Sequence, residues 1–306
     1  MILPNFMIPG AQKSATTTIY MWLKQHPDVF LCTPKEPEFF LNETLFEKGI
    51  EFYSKEYFSQ VNNQKLVGEA SINYLASKEA AERIFDTFGA EMKFIVVLRE
   101  PVSRINSAYW YLRNQFIETW DFYDALHQEP SRVEKLKFEK DIWWRVNYLD
   151  QSRYASNIRV YLSYFPIENF CFLLYEDILE DAKNSFLKIC NFLNIDPNKA
   201  VDKIDFSNRF NASSQVRSKW LHNLITHYIV RDSLIKQLSR KLVPRHIRQN
   251  FTTRIHEINT EKTHYPVMTD DMREYCEKML REEVDDLEEI IGRDLEIWKT
   301  SWLSNR

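Results

Sequence analysis

The sequence predicts an α/β fold, with a central parallel sheet flanked by helices in three layers and a helical C-terminal extension. Three observations predict it. Short apolar, strand-sized runs alternate with helical patterns through residues 1–195, as expected of strands joined by helical crossovers. The strongest strand, Lys93–Leu98, holds the apolar run Phe94–Leu98 without alternation, which suits a strand covered on both faces. After residue 195 the chain turns polar and mainly helical, with no repeat, low-complexity segment or obvious linker. Residues 1–306 therefore read as one domain, comprising a 1–195 α/β core and a mainly helical 196–306 part.

The elements follow in order. Leu3–Ile8 reads as a strand closed by Pro9-Gly10, and Ala15–Gln25 as a helix stopped by Pro27. Strand, tight loop and helix form the opening unit of a P-loop-like nucleotide-binding fold. A loop spans Thr33–Phe40, a helix Phe46–Phe58, and a short strand Leu66-Val67. The helix Lys78–Phe88 leads into the strand Lys93–Leu98, and Pro101 opens the helix Val102–Asn114. Residues 115–150 look aromatic and irregular. A helix over Asp150–Phe165 ends at Pro166, a buried strand spans Phe170–Tyr175, and a helix over Asp181–Leu193 closes the core.

Composition excludes several classes. Apolar residues make up 44% of the 306 residues, too many for a disordered chain. The net charge of −4 argues against a general polyanion or nucleic-acid binder. Residues 203–256 carry 11 Lys/Arg against 2 Asp/Glu, however, and residues 257–296 carry 5 against 14. This pattern reads as a basic and an acidic helical surface packed together, with attraction of an anionic acceptor as the alternative. Cys32, Cys171, Cys190 and Cys276 form no C-x-x-C, which argues against a disulfide framework or structural zinc. No apolar run approaches the roughly 20 residues of a membrane span, and no signal peptide is apparent, so a soluble, cytoplasmic chain is expected. Only five glycines occur, and neither a Rossmann fingerprint nor a Walker A loop is present.

Two segments carry chemistry. Pro9–Thr18 places Lys13, Ser14, Thr16 and Thr17 at a strand-to-helix turn, where free N–H groups and the helix dipole favour an anion. The bland alternative is an ordinary helix start with a surface lysine. Arg99 follows the strand Lys93–Leu98, at the carboxyl edge where open α/β sheets bind ligands. A P-loop NTPase would usually place a Mg²⁺-binding Asp near such a strand end. An arginine there favours a second phosphate over a metal, the alternative being a pair with Glu100 or another carboxylate.

Together these segments resemble the PAPS-dependent sulfotransferases, which use 3′-phosphoadenosine 5′-phosphosulfate. The resemblance is closest to the heparan sulfate sulfotransferase-like branch and its soluble bacterial relatives. It is supported by Gln25–Val29, Lys35-Glu36-Pro37-Glu38-Phe39-Phe40, Gly68–Leu75 and Tyr154–Leu193, and covers residues 1–195 well. It implies that Gln12, Lys13, Ser14, Ala15, Thr16 and Thr17 grip the 5′-phosphosulfate. Arg99 and Ser107 would hold the 3′-phosphate, with Arg217 in a late loop, Asn211–Ser218, over the adenosine phosphate. Lys13 would stabilise the leaving group, and Glu36 would be the general base. The resemblance further implies metal-independent transfer to a hydroxyl, less readily an amine, of a small metabolite or glycan, releasing adenosine 3′,5′-bisphosphate.

The chain departs from that branch in two places. Ala70-Ser71-Ile72 stands where the branch has a lysine followed by Ser/Thr-Pro, and Glu38 replaces a frequent histidine. Glu38 is thus the alternative base, or a residue recognising a cationic acceptor. The rival functions are a P-loop nucleotide kinase or NTPase and a non-catalytic nucleotide-binding module. His222, His227, His246 and His256 lack metal-ligand spacing and read as surface residues. Trp143-Trp144 reads as core or lid, with an acceptor pocket as the alternative.

Overall fold

The computed structural model describes residues 1–136, 145–207, 214–216, 260–262 and 265–303. The chain begins with β1 (Phe6–Gly10), α1 (Thr16–Leu23), β2 (Val29–Leu31), α2 (Glu43–Phe46), α3 (Gly49–Phe58) and β3 (Leu66–Glu69). It continues through α4 (Lys78–Phe88), β4 (Lys93–Leu98), α5 (Pro101–Asn114), α6 (Phe122–His127), α7 (Glu129–Leu136) and α8 (Tyr154–Leu162). After β5 (Phe170–Leu174) come α9 (Tyr175–Glu180) and α10 (Ala182–Leu193). The remaining described elements are β6 (Ser214–Val216), β7 (Thr260–Lys262), α11 (Asp270–Ile291) and α12 (Glu296–Leu303).

Five strands form one parallel sheet in the order β2-β3-β1-β4-β5. Along β4, Phe94, Val96 and Leu98 face one layer while Ile95 and Val97 face the other. The second layer is built from α1 and α10, which bring Trp22, Leu23, Phe186 and Ile189 against Ile95 and Val97. The first layer comes from α4, α5 and α8, and α11 joins the same core through Leu280 and Val284. A strand buried on both faces is apolar at every position, which is why Phe94–Leu98 shows no alternation. The expected three-layer fold and helical C-terminal part are present.

Several boundaries differ from the expectation, each for a local reason. Pro9-Gly10 lies inside β1 rather than closing it, and the β1–β4 register shifts between Met7 and Gly10. A proline gives no N–H to the ladder, so an irregularity there accommodates it. The helix expected over Phe46–Phe58 starts only at Gly49, which takes φ 78°, and Glu47-Lys48 part it from the short helix α2 before it. Only Tyr154–Leu162 of the segment 150–165 is α-helical, after a 3₁₀ turn at Asp150–Ser152. β2 and the helices α6 and α7, within a stretch read as irregular, are additional. Asp121 caps α6 by accepting a hydrogen bond from the Asp124 N–H.

α11 carries most of the acidic run, and part of it is neutralised by α8. Arg159 pairs with Asp286 at 2.6 Å, and Arg153 with Glu283 at 3.9 Å. Most of the basic 203–256 segment lies outside the described residues, so its expected packing on α11 does too. Trp302 of α12 donates its indole N–H to Glu100 at 2.8 Å, tying the end of the chain to the start of α5. Among the described residues, no helix is long and apolar enough to cross a membrane.

Gly68 on β3 pairs with Phe6 on β1. A Cβ there would stand 2.2 Å from Phe6 Cζ, and the Phe6 ring is fully buried. Overpacking of this kind typically costs about 1–3 kcal/mol. Gly68→Ala is therefore expected to lower unfolding stability by about that much, read from urea denaturation.

Candidate active site

Residues 11–15 turn the chain from β1 into α1. Gly10 sits where a Cβ would meet Leu75 Cβ at 2.9 Å and the Ile72 carbonyl at 3.2 Å, so close packing on the 72–75 turn explains this glycine. The turn itself has none. Lys13 and Ala15 take φ 67° and 69°, a left-handed backbone disfavoured by roughly 1–2 kcal/mol for a side-chain-bearing residue. Ala15 supplies no side-chain cap to α1. Gln12 Oε1 and the fully buried Ser14 hydroxyl have no hydrogen-bond partner among the described residues. An uncapped helix start beside an unpartnered buried hydroxyl suits an anionic oxygen.

Arg99, directly after β4, turns toward this loop. Its Nη1 donates to the Lys13 carbonyl at 3.2 Å, and its guanidinium stacks on Tyr175 at 4.6 Å from the ring centroid. The Tyr154 hydroxyl donates to the Arg99 carbonyl at 3.1 Å. Lys13 Nζ lies 4.0 Å from the centroid of the Tyr111 ring. Burial, then the Arg99 charge, lowers the Lys13 ammonium to about 8; Glu36 opposes that shift and Lys35 adds to it. The start of α5 is fixed by Glu100, whose carboxylate accepts from the N–H groups of Val102 at 2.8 Å and Ser103 at 2.6 Å. Ser107 is buried on α5, one turn before Tyr111. Residues four apart share a helix face, so Ser107 lies on the face that presents Tyr111 to Lys13.

The loop Thr33–Phe40 brings two carboxylates to the same edge. Glu36 and Glu38 also take left-handed backbone, with φ 64° and 56°. Phe39 and Phe40 anchor the loop in the core, with Phe39 stacked on Tyr53 at 4.3 Å between centroids. The Glu36 N–H donates to the Ala70 carbonyl at 2.9 Å, and the exposed Glu36 carboxylate pairs with Lys35 at 2.5 Å. Glu38 is half-buried. Its N–H donates to Ser71 Oγ at 3.1 Å, and its Oε1 accepts from Asn73 Nδ2 at 2.9 Å. Its Oε2 is buried without a partner among the described residues. Burial raises the Glu38 carboxyl to about 8; the Asn73 bond opposes this, and the Glu36 and Glu69 charges reinforce it. Beneath the loop, fully buried Glu69 accepts from Ser71 Oγ at 2.5 Å and from the Tyr53 hydroxyl.

Residues 3–288 match the family model of the sulfotransferase domain. The chain belongs to the sulfotransferase family. Among its relatives is the membrane-associated sulfotransferase kil1 of Dictyostelium discoideum, 35% identical over 140 residues, which are 43% of this chain and 29% of that protein. The heparan sulfate glucosamine 3-O-sulfotransferase 5 of Mus musculus is 27% identical over 199 residues, or 64% of this chain and 54% of that protein. The bifunctional heparan sulfate N-deacetylase/N-sulfotransferase 3 of Homo sapiens is 27% identical over 206 residues, covering 64% of this chain and 23% of that one. The chain thus spans between about a quarter and a half of these proteins' lengths. A sulfotransferase from Alicyclobacillus acidocaldarius shares the fold, with a TM-score of 0.69, 24% identity, and 98% and 100% of the two chains covered.

Arg99 and Glu36 both act electrostatically on Lys13, near the carboxyl ends of β1 and β4. Gln12, Ser14, Ala15, Thr16 and Thr17 form the turn and first helical residues around them. The Arg99 guanidinium is turned to Lys13 and Tyr175, and no hydrogen bond joins it to Ser107 among the described residues. Arg217 and Trp143-Trp144 lie outside the described residues, as do the four late histidines. β6, immediately before Arg217, packs on α5, the helix that carries Ser107. Sequence reasoning missed Tyr111, Tyr175 and Asn73. The spacing Ser107–Tyr111 was the available signal for the first; Tyr175 and Asn73 reach the site from separate elements and gave none.

Protonation of Glu38 has a measurable consequence. Its folded-state value, about 8, lies above the ordinary 4.5, so its contribution is fully present below about pH 4.5 and lost as pH rises toward 8. Glu38→Gln is expected to gain in urea midpoint relative to the wild type between pH 5 and 8.5. Parallel midpoints across that range would contradict the raised value.

Proposed function

We propose that the chain transfers the sulfuryl group of 3′-phosphoadenosine 5′-phosphosulfate to a hydroxyl, less readily an amine, of a glycan or small-metabolite acceptor. The observation that carries this reading is the cation-rich loop, in which Lys13 and Arg99 adjoin the buried, unpartnered Ser14 hydroxyl and the uncapped start of α1. Those groups fit an anionic donor with phosphates at both ends. Lys13, Ser14, Thr16 and Thr17, with Gln12 and Ala15 in the same turn, would hold the 5′-phosphosulfate. Arg99, Ser107 and Arg217 would hold the 3′-phosphate.

When bound, the donor supplies an SO₃ unit on a phosphate leaving group. Lys13, still largely protonated at neutral pH, would stabilise the negative charge that develops on the phosphate oxygen as the S–O bond breaks. The acceptor oxygen forms the new bond to sulfur and gives its proton to Glu36. Glu38 suits the base role less well, because it keeps its own proton at neutral pH. Its unpartnered Oε2 suits a hydrogen-bond donor to an acceptor oxygen instead. The relative named heparan sulfate glucosamine 3-O-sulfotransferase 5 supports a sugar hydroxyl, and the one named N-deacetylase/N-sulfotransferase 3 supports the amine alternative. We read residues 1–306 as one domain, in keeping with the docking of Trp302 on Glu100. Four buried free cysteines suit a cytoplasmic setting.

Lys13→Ala and Glu36→Gln are each expected to lower transfer by about 10²–10⁴-fold with an unchanged circular-dichroism spectrum. The measurement is ³⁵S transfer from labelled donor into extracts of the source cell, with products identified by mass. Full activity of Glu36→Gln on a hydroxyl acceptor would remove it as the base. Adenosine 3′,5′-bisphosphate is expected to bind without Mg²⁺ and in preference to ADP. Preference for Mg-ATP would instead favour a kinase or NTPase.

A further inference from the structure

Lys13 keeps a left-handed backbone without being glycine, so its surroundings must over-determine that conformation. Two contacts do so: the Arg99 Nη1 bond to the Lys13 carbonyl and the Tyr111 ring under Lys13 Nζ. Arg99 is itself fixed, by the face of Tyr175 and by the Tyr154 hydroxyl on its carbonyl. A guanidinium has five N–H donors. The bond to Lys13 is its only one to protein among the described residues, which leaves the others for a ligand.

We propose that Arg99 is a positioning residue for the phosphate loop: through the Lys13 carbonyl it sets the grip on the donor's 5′-phosphate, in addition to binding the 3′-phosphate. This rests on the reading of the chain as a sulfotransferase that uses the phosphoadenosine donor. The contact holds two cations together against their repulsion, which a residue serving only a distant phosphate would not require. It also makes the two phosphate sites one mechanical unit, because a displacement of Arg99 by either ligand group moves the Lys13 backbone.

The test separates the two roles with two nucleotides, adenosine 3′,5′-bisphosphate and AMP, which lacks the 3′-phosphate. Calorimetric titrations at pH 7 would compare wild type, Arg99→Ala and Arg99→Lys. Loss of a hydrogen bond from a charged donor predicts roughly tenfold weaker AMP binding in both variants. Arg99→Lys is expected to retain most of the bisphosphate's advantage over AMP, because its charge persists while its geometry does not.

A pH series adds a readout that a purely structural role would not move. AMP affinity should fall as Lys13 loses its proton. In Arg99→Ala that fall should move to higher pH, since the Arg99 charge no longer opposes the proton. Burial and the Lys35 charge would still lower the Lys13 value, and Glu36 would still raise it; the Tyr111 ring stays under the ammonium. Unchanged AMP affinity in both variants would overturn the proposal. So would a wild type that binds the bisphosphate but not AMP, since the loop would then have no grip for Arg99 to set. Wild-type protein that does not bind the bisphosphate would instead overturn the reading of the donor.

Discussion

Positive charge is gathered at the carboxyl ends of β1 and β4, and the site is organised around holding it open. Lys13 and Arg99 share a hydrogen bond through the Lys13 carbonyl, yet each rests on a tyrosine ring rather than a carboxylate. An aromatic face attracts a cation without neutralising it or occupying its donors. A carboxylate partner would do both. The acid that acts on Lys13 among the described residues is Glu36, which is exposed and paired with Lys35. The resulting excess of positive charge favours an anionic ligand there.

Keeping that arrangement in place falls to buried polar groups below it. Glu69 takes hydrogen bonds from Ser71 and Tyr53, and Ser71 in turn receives the Glu38 N–H. Glu100 caps α5 and accepts from Trp302, linking the strand end that carries Arg99 to a helix two hundred residues later. Farther out, fully buried Arg104 donates to Ser152 at 2.7 Å and to the Tyr148 carbonyl. Glu69 and Glu100 are both hydrogen-bonded, so these buried polar groups fix the site rather than burden the core.

Much of this was legible in the sequence because it is local. The apolar run of β4, the hydroxyls after Lys13 and the arginine after the strand are all read within ten residues. β2 was not legible, since three residues behind Pro27-Asp28 offer no periodicity. Nor was the continuation of β1 through Pro9, which depends on a register irregularity against β4. The roles of Tyr111 and Tyr175 depend on contacts across the fold. Glu36 and Glu38 were legible as a pair, but their difference was not. Burial of the second, with Asn73 against one oxygen and no partner on the other among the described residues, raises its carboxyl, which no local pattern could show.

The scarcity of glycine acquires a different meaning beside the backbone angles. Six described residues other than glycine have positive φ, and four of them, Lys13, Ala15, Glu36 and Glu38, lie in the two loops of the site. Glycine would relax each of these positions, and at three of them it would delete an ionisable side chain. Laboratory selection for heat resistance would therefore find stabilising changes here first and alter the candidate site with them, the trade-off met wherever strain and function share a residue. A thermostable variant of this protein would have to be sought in the helical layers, with these four positions held fixed.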